Sequence, residues 1–147
     1  MQELVPNEPY FIELGKAKIR KKGKDITLVS FGSAMPTALE AAKDLSALNL
    51  SVEVIDLRTI KPLDITAILQ SVNKTRNLIV YEPGWKSFSI SSEIIATVSE
   101  NIGSELLNNP KRLCWPDSHI PMSTPLEKEF YPTKKELINE IKLTLKK

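Results

Sequence analysis

Four short segments carry the residue types that could do chemistry. Glu82 ends an apolar run in Glu82-Pro83-Gly84-Trp85, where a carboxylate can act as a general acid or base. No second carboxylate and no histidine stands in that stretch, so a structural or interface role is favoured. Arg58 lies between Asp56 and Asp64 in Asp56-Leu57-Arg58-Thr59-Ile60-Lys61-Pro62-Leu63-Asp64. That spacing favours a guanidinium that ties the loop together by bidentate pairing. The competing reading presents Arg58 to a neighbouring chain or an anionic ligand. His119, the only histidine, sits beside Asp117 in a proline-bounded loop. An imidazole there could switch or catalyse, but no nucleophile motif or second ligand accompanies it, which favours a surface or interface place. Trp85 is balanced between an interface anchor and core packing. Gly32-Ser33-Ala34-Met35-Pro36 has one glycine where a dinucleotide-binding turn needs several, so it reads as a tight strand-to-helix turn. Cys114 falls in an apolar strand pattern and reads as an inert buried thiol. No complete catalytic set emerges.

The composition narrows the classes. The chain has 147 residues, 41% hydrophobic and 26% charged, which suits one soluble domain with its own core. The net charge is +2, and the basic runs at Arg20-Lys21-Lys22 and Lys146-Lys147 are short. Neither nucleic acid nor a membrane is therefore expected as a partner. A single cysteine forbids an intrachain disulfide and fits a reducing compartment. No apolar run approaches the roughly 18 residues of a membrane span. Met1 to Pro6 has neither signal-peptide nor transit-peptide character.

Elements of alternating type must position these loops. Residues 1–14 read as an extended interdomain linker, and residues 15–147 as the domain. The polar–apolar alternation of Lys16 to Arg20, the turn at Lys22 to Asp25 and the strand Ile26 to Phe31 predict a hairpin. Helical spacing then recurs at Ala38, Leu39, Ala42, Leu45 and Leu48, with Pro36 in the first turn and Asn49 as the stop. Ser51 to Leu57 reads as a strand, and Asp64 caps a helix with Ile65, Ile68, Leu69 and Val72 inward. Asn77 to Tyr81 is the next strand, followed by a helix capped by Ser91 or Ser92 and ended by Gly103. Lys111 to Trp115 is a short strand, residues 116–132 read as irregular, and Thr133 with Glu136 forms a capping box for a last helix. The expected fold is a three-layer α/β/α domain. Its sheet is mostly parallel, of about five strands, plus one antiparallel strand from the N-terminal hairpin.

Several of these segments together resemble a known family. They are Leu14-Gly15-Lys16-Ala17, Gly23-Lys24-Asp25-Ile26-Thr27-Leu28-Val29, the run from Val54 through Arg58 to Asp64, Glu82-Pro83-Gly84-Trp85, Pro116-Asp117 with Ile120-Pro121, and Leu126-Glu127 with Tyr131-Pro132. In this order they resemble the C-terminal domain of the beta subunit of pyruvate and other 2-oxoacid dehydrogenases along nearly the whole chain. The Arg58 run is shared with transketolase and deoxyxylulose-phosphate synthase, which remain alternatives, as does a free-standing binding module without enzymatic activity.

The resemblance implies a complete enzyme that uses thiamine diphosphate and magnesium to decarboxylate a 2-oxoacid and acylate a lipoyl group. It implies that this domain holds no cofactor and is inactive alone. Implied partners are an alpha subunit, the N-terminal domain of the beta subunit, a second beta subunit and the dihydrolipoyl acyltransferase core. Arg58, Glu82, Trp85, Asp117 and His119 become candidates for domain or subunit interfaces. Asn108, Asn109 and Lys147 become candidates for docking on the core. The implied compartment is the bacterial cytoplasm, or an organellar matrix in a eukaryote. Asn108 and Asn109 stand where an acid is usual, and Phe88 to Ser91 where a glycine-rich stretch is usual, which points to a divergent branch.

Overall fold

The computed structural model describes residues 7–146, so Lys147 lies outside the described residues. Five strands form one sheet: β1 (Lys18–Lys21), β2 (Ile26–Ser30), β3 (Val52–Asp56), β4 (Leu78–Trp85) and β5 (Lys111–Trp115). Their order is β1-β3-β2-β4-β5. The last four are mutually parallel, and β1 alone runs antiparallel.

The antiparallel strand is present, but the expected hairpin is not. β1 pairs with β3 rather than with β2, matching Lys18 to Asp56 and Ile19 to Ile55. The chain leaves β2, crosses one sheet face as helix α1 (Met35–Ser46) and returns as β3 into the place beside β2. That crossover leaves β1 the outer edge of β3. The turn between β1 and β2 therefore rides over the start of β3. A Cβ on Gly23 would lie 2.2 Å from the backbone nitrogen of Glu53 and the carbonyl carbon of Val52.

Helices cover both faces. Ala38, Ala42 and Leu45 of α1 pack with Leu137 and Ile141 of α5 (Lys134–Leu145) on Leu28, Val54 and Ile79. On the other face, Ile68 and Val72 of α2 (Ile65–Thr75) and Ile94 and Val98 of α3 (Ile90–Ile102) pack on Val29, Ile55 and Val80. Each fully buried branched side chain contributes about 1.5–3 kcal/mol. The Asp64 cap holds, since its Oδ1 accepts from the Ala67 amide, and so does the Thr133–Glu136 capping box.

Three local expectations are corrected. Leu48 is exposed, because α1 ends at Ser46 and Asn49 turns into the left-handed region, so Leu50 goes inward instead. The cap of α3 is Ser89, not Ser91 or Ser92, because Glu82 reaches the amides of Ile90 and Ser91 and starts the helix earlier. Part of the stretch read as irregular forms α4 (Thr124–Phe130), whose Phe130 is buried beside Trp115. Among the described residues no helix is long and apolar enough to cross a membrane.

Candidate functional site

The loops that follow β2, β3, β4 and β5 all leave the same pole of the sheet, where ligands sit in open α/β folds. They do not form one pocket. A recess of about 420 Å³ lies between the ends of β2 and β4, where the strand order reverses; Thr37, Tyr81, Pro83 and Trp115 are among its walls. The Tyr81 hydroxyl donates to the Pro132 carbonyl at 2.9 Å across it. Burial pushes the Tyr81 hydroxyl above its ordinary pKa, so it stays a neutral donor.

Trp85, Asp117 and His119 are brought together around a second, shallow recess. The Trp85 indole N–H donates to the Ser118 carbonyl at 2.9 Å. The ring meets Trp115 edge to face, with centroids 5.8 Å apart. Trp85 is nevertheless 48% exposed, which settles its balance away from core packing. Asp117 accepts from the Ser87 amide at 2.9 Å and from the Ser87 hydroxyl at 2.7 Å, clamping the two loops. These bonds hold its carboxyl below the usual carboxylate range. His119 is exposed beside them. Phe88, one residue beyond the clamp, is fully exposed at φ 53°, a conformation that glycine would favour.

Replacing Asp117 with alanine is expected to free the Trp85 indole. The measurements are faster exchange of the Trp85 Nε1 proton and red-shifted tryptophan emission, with the midpoint of thermal unfolding unchanged. The carboxylate form of Asp117 is favoured in the fold, so the clamp persists above the usual carboxylate pKa. It is lost as pH falls through the depressed value. The same emission change should therefore appear in wild type on acidification, and its absence would rule out the clamp.

Glu82 and Arg58 stand apart from this cluster. Glu82 is buried, with Oε1 accepting from Ile90 N at 3.2 Å and Oε2 from Ser91 N at 2.8 Å. It is a helix cap, aligned with the positive end of α3. The expected bidentate tie through Arg58 is overturned. Asp56 Oδ1 accepts from the backbone amide of Arg58, and Asp64 gives its two oxygens to the amides of Ala67 and Ala17. The guanidinium is exposed and pairs with none of the described residues.

Cys114 is half-buried rather than buried, and burial pushes its thiol up, which suppresses the reactive thiolate. Asn108 and Asn109 lie at the opposite pole, before β5, beside Leu143 and Thr144 of the last helix. Asn108 Nδ2 donates to Asn77 Oδ1 at 2.8 Å.

The sequence reading missed the buried polar array that this bond joins. Glu53 has a side chain 1% exposed and accepts from Ser71 Oγ at 2.6 Å, from Gly23 N at 3.1 Å and from Lys74. Thr27 links Ser71 to Thr75, each at 2.7 Å, and Thr75 donates to the Asn77 carbonyl. The charged residue inside an otherwise apolar strand, Val52 to Ile55, was the available signal.

These carboxylates do not converge. Asp56, Asp64, Glu82 and Asp117 are each turned to backbone or hydroxyl donors. Among the described residues no group of three His, Cys, Asp or Glu is placed to hold a metal ion.

Comparison with known proteins agrees with this architecture. Residues 15–137 match the family described as Transketolase, C-terminal domain. The chain is 37% identical over 144 residues to the pyruvate dehydrogenase E1 component subunit beta of Staphylococcus epidermidis, covering 98% of this chain and 44% of that protein. It is 39% identical over 140 residues to the acetoin:2,6-dichlorophenolindophenol oxidoreductase subunit beta of Bacillus subtilis, covering 95% of this chain and 41% of that one. The chain thus spans less than half the length of these relatives. A solved structure described as a split gene transketolase, inactive beta4 tetramer, superposes with a TM-score of 0.79 at 26% identity, covering 92% of this chain and 44% of that one. The chain belongs to the transketolase C-terminal domain family.

Proposed function

We propose that this chain is the C-terminal domain of the beta subunit of a thiamine-diphosphate-dependent 2-oxoacid dehydrogenase, with pyruvate as the favoured substrate of the whole enzyme. The similarity to beta subunits along nearly all of the chain carries this reading. Residues 1–14 serve as an interdomain linker and residues 15–147 as the domain. The domain contributes assembly rather than chemistry. In support, the candidate catalytic carboxylate Glu82 caps a helix, and the pole that bears Trp85 leaves Phe88 and Met122 fully exposed. Large apolar side chains in such a patch are what a subunit interface buries. The alpha subunit, the N-terminal domain of the beta subunit and a second beta subunit are the proposed partners there. Asn108 and Asn109 mark the opposite pole for the acyltransferase core.

The test has two arms. The purified chain, titrated with magnesium and thiamine diphosphate in a calorimeter, should show no saturable heat and no decarboxylase activity; saturable binding overturns the assembly-only role. In the complete beta subunit, Trp85→Ala with Phe88→Ala should lower recovery of the alpha subunit about tenfold, as loss of an aromatic anchor does. Unchanged recovery would remove this pole from the interface.

A further inference from the structure

We infer that the pole bearing Trp85, Phe88 and Met122 packs in cis on the half of the beta subunit that precedes this domain, with Phe88 as its pre-set anchor. The inference rests on the functional reading above and selects one of its three partners for this surface.

The first observation is where apolar surface is left open. Phe11, Leu14, Ile60, Trp85, Phe88 and Met122 are all exposed, Phe88 and Met122 completely. The first two belong to the entry segment, and the last four stand at or beyond the C-terminal ends of β3, β4 and β5. The opposite pole exposes Leu48, Leu107 and Leu143. Single exposed apolar side chains are ordinary, whereas a pole that gathers them from four separate segments marks a surface that another body covers.

The second observation is how Phe88 is held. Its φ of 53° is a conformation that a bulky residue rarely adopts. Just before it, the Ser87 amide and hydroxyl both donate to Asp117. Just after it, the Ser89 hydroxyl caps α3, and Glu82 takes the amides of Ile90 and Ser91. Both flanks are tied down, yet the ring itself is left in solvent. Fixing an aromatic side chain in advance lowers the ordering cost of contact, which suits an anchor that enters a pocket.

The third observation selects the occupant. β1 runs antiparallel to β3 with Lys18 opposite Asp56, so the residues just before Lys18 lie past the C-terminal end of β3. Gly15 N donates to Thr59 Oγ1 and Ala17 N to Asp64 Oδ2, which fastens the entry there. The chain therefore enters at the same pole that exposes the apolar side chains. It spans less than half the length of its beta-subunit relatives, and its family is a C-terminal domain. On this reading the other half precedes Gly15. Five strands spaced about 4.8 Å apart set the two rims of the pole about 20 Å from each other. A domain of more than 100 residues has a radius of gyration of at least about 13 Å, so one hung from Gly15 reaches the far rim. The tether also gives it a local concentration on the order of millimolar, which neither the alpha subunit nor a second beta subunit has. The loss of alpha subunit expected in Trp85→Ala with Phe88→Ala then arises because the preceding domain is misplaced.

Hydroxyl-radical footprinting of the complete beta subunit, purified without its partners, tests this. Oxidation rates at Phe88 and Met122 are read by mass spectrometry and compared with the same residues in the 147-residue chain, where both are exposed. In the complete subunit both rates should fall about tenfold, as in the packed core of an interface, and should not change on dilution. Leu107, at the opposite pole, should keep its rate. Rates that fall only when the alpha subunit is added would overturn the inference and give the pole to that subunit. Protection that fades on dilution would overturn it in favour of a second copy. Phe88→Gly suits the φ of 53°, so circular dichroism should be unchanged while Met122 returns towards its rate in the 147-residue chain. Full protection of Met122 in that variant would remove Phe88 as the anchor. A protected pole in a subunit that, with its alpha subunit, decarboxylates no 2-oxoacid would leave the cis packing standing and sink the functional reading instead.

Discussion

Replacing Glu53 with alanine is expected to cost about 3 kcal/mol of folding free energy, read as a lower urea midpoint at unchanged slope. The carboxylate lies inside β3 and satisfies Ser71 Oγ and Gly23 N as well as Lys74. Removing it leaves a buried hydroxyl and a backbone amide without their acceptor, and opens a void below α2. Lys74 is half-exposed and can turn to water, which keeps the loss at the low end for a broken buried pair. Burial by itself pushes the Glu53 carboxyl up, but the bonds from Lys74, Ser71 and Gly23 outweigh it, so the folded value lies below the ordinary one. The sign follows. This stabilisation is fully present above the unfolded glutamate pKa of about 4.3 and is lost as pH falls through the depressed folded value. Glu53→Gln should remove that part of the acid sensitivity, and an Ala variant as stable as wild type would show the array to be idle.

Gly23→Ala should be of comparable size, for a different reason. Gly23 is not in the left-handed region, so its demand is for space rather than for an unusual φ. The added methyl would sit 2.2 Å from the backbone of Val52 and Glu53, and main-chain atoms in a paired strand cannot step aside. Either the turn lifts, which takes the Gly23 amide away from Glu53, or β3 shifts against β2. Overpacking of this kind costs about 1–3 kcal/mol and occasionally more; with backbone as the obstacle the upper end is expected, seen as a lower melting temperature. Gly103→Ala is the control, since a Cβ there meets only Ser99 Cβ at an ordinary 3.8 Å. Equal losses in both variants would show that glycine as such, and not the crossing, is what matters.

The sequence was most legible where one helix or one strand could state its own case. Ile65, Ile68, Leu69 and Val72 declare a helix by spacing, and Thr133 with Glu136 declares its start, because both signals are local. Pairing across the sheet was less legible. Lys18–Lys21 and Ile26–Ser30 look like a hairpin, and only the return of β3 beside β2 shows why they cannot be one. Arg58 was misread for an electrostatic reason. Two flanking acids invite a guanidinium, but backbone amides at the turn and the helix start claimed them. An arginine on its long stem can turn to water, whereas a main-chain amide stays where the turn or helix start puts it. Glu53 was silent because its partners come from a turn 30 residues earlier and a helix 18 to 21 residues later. At the Trp85–Asp117 pole, the residues were singled out one by one; their grouping depended on β4 running past Tyr81 to Trp85 and lying beside β5.

The displacement of β1 to the rim has a colloidal consequence. The outer strands are the ones that begin with cations, Lys-Ile-Arg-Lys on one side and Lys-Arg on the other, while neutral apolar residues dominate the strands between them. An open sheet offers unpaired amides and carbonyls along both rims, a template on which another molecule could add its own strand. Here any such approach between copies brings ammonium and guanidinium groups together before the first rung can form. Charge at both rims thereby disfavours strand-by-strand growth of the sheet.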